Sequence, residues 1–163
     1  MAPTVDNGAV GMLRHTVATL AYRGGKALRG APADFSGFRA APGSRAAGQI
    51  LAHIGDLLDW ALKLTEGTHE YHETQPQTWE KDTARFFAAL EALDRRLASV
   101  APLGYPPERL FQGPVADALT HVGQIAMLRR IAGAPLRGEN YFKAAITAGR
   151  AGAAQAAPVF EFD

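Results

Sequence analysis

The sequence predicts an all-α protein, an up-and-down four-helix bundle, and three observations lead to that prediction. Four segments carry apolar residues at alternating spacings of three and four, which is the period of one buried helix face. Stretches rich in Gly and Pro separate these segments, and no strand-like alternation or hairpin turn competes with them. Because 163 residues are enough for one domain with a core and too few for two comfortable ones, we expect residues 1–163 to form a single domain.

The first helix is predicted from about residue 10 to residue 28. Its expected buried stripe consists of Leu13, Val17, Leu20 and Gly24. The glycine pair Gly24 and Gly25 either weakens this helix or lets a neighbouring helix approach closely. Residues 29–44 follow as a connection punctuated by Pro and Gly, but its two phenylalanines can pack, so we expect an ordered loop.

Two further helices are predicted in the middle of the chain. The second runs from about residue 45 to 66, with Ser44 as its N-cap and Gly67 as its C-terminal stop. The third runs from about residue 79 to 100, with Thr78 as its N-cap. The expected inward positions of the second helix are Ala46, Ile50, His53, Leu57, Trp60 and Leu64. Those of the third helix are Thr83, Phe86, Leu90, Leu93, Leu97 and Val100.

The fourth helix carries polar residues on its predicted inner face. Pro114 suits the first helical position and Gly133 ends the helix. If Leu128 and Ile131 face the core, the stripe can be counted back by threes and fours. The polar residues that this count places on the stripe are Gln124, His121 and Asp117. A short fifth helix is expected over residues 139–149.

Composition and charge argue against several classes of protein. The 17 Lys and Arg residues against 16 Asp and Glu give a net charge of +1, so we expect neither a nucleic acid nor a membrane as partner. Cysteine is absent, which excludes disulfides, thiolate metal ligands and a cysteine nucleophile. The N-terminal stretch MAPTVDNG lacks a secretory signal, and no segment approaches the ~20 apolar residues of a membrane span. We therefore expect a cytoplasmic protein.

Three polar residues on predicted interior stripes indicate a metal site. Asp117 and His121 are four residues apart on one helix, so their side chains lie on the same face and can reach one ion. His53 lies on the inward stripe of a different helix, and metal sites in bundles are commonly built from facing helices. Two imidazoles and one carboxylate leave coordination positions open for water or substrate. The alternative is a hydrogen-bonded core histidine beside an Asp–His pair that stabilises the helix.

The segments ILAHIGDLLDWAL and VADALTHVGQIAMLRRIAG resemble the DinB-like (DinB/YfiT-like) superfamily of metal-binding four-helix bundles. The resemblance covers most of the chain, in helix order as well as in motif. In that family one histidine of the second helix and two residues four apart on the fourth, most often both histidines, hold the metal. By that pattern His53, Asp117 and His121 are the ligands. Asp117 stands where most of the family has a histidine. The related mycothiol-dependent maleylpyruvate isomerase branch has a glutamate at this place, so a carboxylate there is compatible with metal binding. Aspartate is one methylene shorter than glutamate and can instead lie behind the ligands, without touching the metal.

The resemblance also implies a class of chemistry. Several DinB-like proteins are thiol-dependent transferases or isomerases in which a divalent metal activates a small thiol for attack on an electrophile. We therefore expect a divalent metal, zinc or nickel first and iron or manganese next, a low-molecular-weight thiol, a small-molecule electrophile, and a homodimer. Gln124, one turn from His121, is expected to orient a ligand or a water. The alternative is a non-enzymatic helical bundle whose metal is structural or absent.

The remaining histidines are weaker candidates. His69 and His72 lie in the stretch THEYHE, where a solvated polar loop is a better interpretation than a metal site. His15 lies off the apolar stripe of the first helix, where a surface position is expected.

Overall fold

A computed structural model of the chain describes residues 7–163; the first six residues, which belong to the polar N-terminal stretch discussed above, lie outside the described part. The long helices within that part are α1 (Asn7–Leu28), α2 (Ala47–Thr65), α3 (Trp79–Ala98) and α5 (Ala116–Ile131). A short helix α4 (Pro107–Leu110) and a π-helical turn (Phe111–Val115) lead into α5. A two-stranded antiparallel ladder joins β1 (Gly138–Glu139) to β2 (Glu161–Phe162). The prediction of a helical bundle is thus confirmed.

The helix ends follow local rules in most places. Thr78 accepts a hydrogen bond from the Lys81 amide, as predicted for an N-cap. Gly67 and Gly133 have positive φ angles of 87° and 76° and end their helices as predicted. The prediction for Ser44 is wrong: α2 begins after Ala46, and the Ser44 hydroxyl donates to a carbonyl within its own turn.

The fourth predicted helix begins earlier than Pro114. Helical structure starts at Pro107, and the chain passes through a π-helical turn before α5. Gly113 in this turn has φ −88° and ψ −105°, which breaks the regular helix and accommodates Pro114, a residue with no N–H to donate. At the other end Leu128 is buried as predicted, but Ile131 is 53% exposed, because it shares the outward face of α5 with Met127, four residues earlier.

The third helix also ends sooner than predicted. Its last residue is Ala98, so Val100 lies outside the helix and is fully exposed rather than inside the core. The other apolar members of the predicted stripes of α1, α2 and α3 lie within the bundle, where most are buried. The stripes of α1 and α3 therefore contribute to the core of this chain.

The helix directions differ from a simple up-and-down order. Arg85 donates to the Asp56 carboxylate, and Arg96 donates to the Thr65 carbonyl one helix length further on. Because both contacts advance together along α2 and α3, these two helices run parallel. Residues 66–78 make this possible: they run back along α2, so that α3 begins at the same end of the bundle as α2.

The direction of α1 follows from its contacts with α3 and α5. Arg14 at the start of α1 pairs with Asp94 near the end of α3, so α1 and α3 are antiparallel. Arg129, buried near the end of α5, donates to the carbonyls of Ala27 and Gly30 and so caps the C-terminus of α1. Each long helix packs against two others. Helix α1 contacts α3 and α5, and α2 contacts the same two helices.

Gly24 explains the close approach of two helices. A Cβ atom added at Gly24 would collide with the Phe86 ring, and both residues are buried between α1 and α3. Of the two roles predicted for this glycine, close helix contact is the one observed.

The C-terminal segment packs back on α1 without forming the predicted fifth helix. Residues 139–149 contain only the end of β1 and one 3-10 turn, Tyr141–Lys143. The Glu139 side chain is fully buried, where it accepts hydrogen bonds from Tyr22 and Lys26. A buried carboxylate needs such partners, and this pairing holds the segment extended against α1. The absence of a strand pattern in the sequence was misleading, because the ladder is only two residues long.

No helix within residues 7–163 has the length and the apolar character needed to cross a membrane.

We predict that Asp56→Ala lowers the free energy of unfolding by about 3 kcal/mol, because it leaves the Arg85 guanidinium without its buried partner. Asp59 also contacts Arg85, but its side chain is 48% exposed, so Asp59→Ala should cost less than about 1 kcal/mol. Urea denaturation of both variants measures the difference. Equal losses would show that the burial of Asp56 does not matter.

Candidate metal centre

The structure brings together the three residues predicted as metal ligands. One side-chain donor atom from each of His53, Asp117 and His121 lies within 4.8 Å of the others. The Asp117 carboxylate lies between the two rings: its Oδ2 is 3.7 Å from His53 Nε2 and its Oδ1 is 3.2 Å from His121 Nδ1. The two imidazole rings are 4.7 Å apart, centroid to centroid. Antiparallel packing of α2 against α5 creates this cluster.

The hydrogen bonds of His121 fix which nitrogen is free. Nδ1 lies 2.8 Å from the backbone carbonyl oxygen of Asp117. A carbonyl oxygen only accepts, so Nδ1 carries the hydrogen in the neutral ring and Nε2 keeps its lone pair. Metal-ligating histidines are held in this way, with the far nitrogen donating to a carbonyl or carboxylate.

His53 has a corresponding partner that the sequence did not indicate. Its Nδ1 lies 3.0 Å from the Tyr71 hydroxyl, and its Nε2 faces Asp117. When Nδ1 donates to the tyrosine oxygen, the lone pair of Nε2 is directed into the cluster. Asp117 is thus met by Nε2 of His53 and by Nδ1 of His121.

Tyr71 reaches His53 because residues 66–78 fold back along α2. Thr74 anchors this segment by donating its amide, at 3.1 Å, and its hydroxyl, at 2.7 Å, to the buried Asp56 carboxylate. The Tyr71 ring also meets Trp60 edge-on at 5.9 Å. No periodicity or motif marks a tyrosine in a polar loop, so only the path of the chain reveals this residue.

The cluster is half-buried and open on one side. The side chains of His53 and His121 are 18% and 12% exposed, whereas Asp117 is 46% exposed. Burial, followed by the charges of His121 and Arg45, lowers the pKa of His53 below its ordinary value, against the opposing effect of Asp117. His53 therefore stays neutral and able to donate a lone pair to lower pH than a free imidazole.

Two cavities lie along α2, one on each side of the cluster. The first, of about 370 Å³, is lined by His121 and by Ile50 and Leu128, which precede His53 on α2 and follow His121 on α5. Arg45 and Gln124 add polar groups to its wall.

The second cavity, of about 650 Å³, lies on the other side of the cluster. It is lined by Trp60, which follows His53 on α2, and by Pro114, which precedes Asp117. His69, Tyr105 and Arg109 complete much of its wall. The proposed metal site thus lies between two spaces of ligand size.

The other polar candidates have different surroundings. The prediction that Gln124 lies on the inner face of its helix is wrong, because Gln124 is exposed. Within the described residues no hydrogen bond connects its amide to the three clustered side chains, so its orienting role stays a prediction. His15, His69 and His72 are exposed as expected. His69 stacks on Trp60, with ring centroids 5.5 Å apart, which gives this loop histidine a packing role.

The donor set fits a divalent transition metal. Two neutral imidazoles and a carboxylate are ligands for zinc, nickel, iron and manganese alike. One donor atom from each residue already lies within 4.8 Å of the others, a separation that one ion can bridge at ligand distances of ~2.0–2.2 Å. Asp117 is close enough to bind directly, since its carboxylate lies against both rings.

No protein-family model matches the chain, and neither a curated protein nor a solved structure matches it significantly.

We predict that His53 in the metal-free protein titrates below the ordinary value of 6.5, as measured by NMR of its ring protons. Asp117→Asn should lower the midpoint further, because it removes a negative charge that favours the imidazolium. In the unfolded chain His53 takes up a proton at a higher pH than in the folded protein. The free energy of unfolding should therefore fall as the pH drops below 6.5. A midpoint above 6.5 would contradict this assignment.

Proposed function

We propose that this protein binds one divalent metal ion through His53, Asp117 and His121 and catalyses a metal-dependent reaction between a small external thiol and an electrophile. The observation that supports it best is the convergence of three donors beside one cavity, which His121 lines, with a second cavity about two helical turns further along α2. A two-substrate reaction needs two adjacent binding spaces and a shared reactive centre. The resemblance to DinB-like bundles supports the thiol chemistry.

The residues of the cluster have separable tasks in this proposal. When bound, a divalent ion lowers the pKa of a coordinated thiol or water and polarises a substrate oxygen. His53 and His121 would hold the ion through the ring nitrogens that stay free when their Nδ1 atoms donate to the Tyr71 hydroxyl and the Asp117 carbonyl. Asp117 contributes negative charge on the exposed side. Three protein ligands leave positions open for a substrate.

The absence of cysteine agrees with an external thiol. The chain has no thiol that could compete for the ion or for the electrophile, so the sulfur must arrive with a substrate. Arg45, in the wall of the cavity beside His121, provides a positive charge suited to the carboxylates of small thiol compounds. We further propose that the protein works in the cytoplasm and as a homodimer.

We predict close to one divalent ion per chain in protein purified without a His-tag, measured by elemental analysis after reconstitution with zinc, nickel or manganese. His53→Ala and His121→Ala should each abolish stoichiometric binding, because a bidentate remainder holds such ions weakly. His72→Ala, which removes an exposed loop histidine, is the matched control and should retain the ion. Wild-type protein that takes up no metal would overturn the proposal.

A further pair of variants tests the role of Asp117 in this binding. Asp117→His should keep the stoichiometry, because imidazole occupies this place in most of the superfamily that the chain resembles. Asp117→Ala should weaken binding by more than about 100-fold if the carboxylate is a ligand. A loss of only about 10- to 100-fold is typical of a residue that orients a ligand.

We predict that the metal-loaded protein accelerates conjugation of a small thiol to a nitroaryl chloride. The S–C bond forms, chloride leaves and the thiol proton passes to solvent. The rate should depend on the metal and disappear in His121→Ala but persist in His72→Ala, as followed by absorbance of the thioether. Metal-loaded protein that accelerates none of several thiol reactions would favour the non-enzymatic interpretation.

A further inference from the structure

We propose that the larger cavity, between α2 and the helical turns at residues 107–114, binds an aromatic carboxylate and that this is the substrate class of the neighbouring metal centre. The second half of this statement rests on the proposed function. The binding site itself does not, because none of the three candidate metal ligands lines the cavity.

The wall of the cavity is suited to a flat ring. Trp60, His69 and Tyr105 form a continuous aromatic surface, in which His69 stacks on Trp60 at 5.5 Å and meets Tyr105 edge-on at 6.3 Å. The other apolar lining residues are Leu64, Pro106 and Pro114. Aromatic ligands gain from offset and edge-to-face contacts with such side chains.

The charge of the cavity selects for an anion. Arg109 lines it with an exposed side chain, and within residues 7–163 its guanidinium has no ion pair or hydrogen bond. No carboxylate belongs to the lining, so nothing there neutralises this charge. Gln112, also without a side-chain partner in the described part, offers an amide beside it. A guanidinium of this kind recognises a carboxylate through paired hydrogen bonds.

The position of the cavity connects it to the metal centre. Pro114 precedes Asp117 by three residues, and Trp60 follows His53 by seven, which at 1.5 Å per residue is about 10 Å along α2. A ligand with its carboxylate at Arg109 and its ring against Trp60 can extend a substituent towards His53 and Asp117. The volume of about 650 Å³ is within the range of small-molecule sites.

The binding test is a fluorescence titration of the metal-free, full-length protein with benzoate. Trp79→Phe leaves Trp60 as the only indole and should keep a saturable change in emission. Trp60→Phe, which leaves Trp79, should lose it. Arg109→Gln should weaken benzoate by about tenfold or more, whereas Arg95→Gln, at an exposed arginine of α3 that does not line the cavity, should have no effect.

Two analogues separate charge from ring shape. Benzamide lacks the anion and cyclohexanecarboxylate lacks the flat ring, so both should bind at least several-fold more weakly than benzoate. Benzoate that binds Arg109→Gln and wild type equally, or that does not bind wild type at all, would overturn the proposal.

The substrate assignment needs a reaction. With a small thiol and metal-loaded protein, para-chloromethylbenzoate should react with higher kcat/KM than para-chloromethylbenzamide. In each case an S–C bond forms, the C–Cl bond breaks, chloride leaves and the thiol proton passes to solvent. The preference for the carboxylate should disappear in Arg109→Gln. Equal kcat/KM values in wild type would overturn the assignment.

The two proposals fail in distinguishable ways. His121→Ala should lose the metal and still bind benzoate. Wild type that holds metal but not benzoate would overturn the cavity proposal alone. Wild type that binds benzoate but no metal would overturn the metal-dependent function, and the substrate assignment with it, and leave the binding site in place.

Discussion

The buried carboxylate of Asp56 is the point on which the arrangement of the helices depends. It accepts hydrogen bonds from Arg85 of α3, at 2.8 Å, and from the amide and hydroxyl of Thr74. A side chain that is only 1% exposed must satisfy its charge within the protein. Gly55 makes this possible, because a Cβ atom at that position would collide with the Arg85 guanidinium. One carboxylate thereby joins α2, α3 and the segment between them.

This network has a direct consequence for the candidate metal centre. Because Thr74 is tied to Asp56, the connecting segment returns along α2 and places the Tyr71 hydroxyl on His53 Nδ1. The same return makes α3 parallel to α2, which leaves the opposite flank of α2 for α5 and so for Asp117 and His121. The groove that holds the cluster therefore depends on the loop of residues 66–78, because the path of this loop determines which helices pack beside α2.

The candidate site could be predicted from the sequence only where local periodicity determines position. His53, Asp117 and His121 were found because each lies on a regular stripe of its own helix. Tyr71 was not, since its contact depends on the path of an irregular segment. The direction of α3 and the start of the fourth helix before Pro114 were missed for the same reason: they depend on Asp56 and on a π-helical turn at Gly113, which leave no periodic pattern.

The electrostatics of the cluster determine which state of His53 is available to a ligand. In a simple ion pair the carboxylate of Asp117 would favour the charged imidazole of His53, and the pKa of that histidine would rise. It is lowered instead, because burial and the positive charges of His121 and Arg45 outweigh Asp117. Asp117 thus lies beside a neutral imidazole, whose lone pair is available to a metal ion or to a hydrogen-bond donor. Burial, the largest of these effects, keeps the Nε2 lone pair of His53 free of a proton to lower pH than in an exposed imidazole.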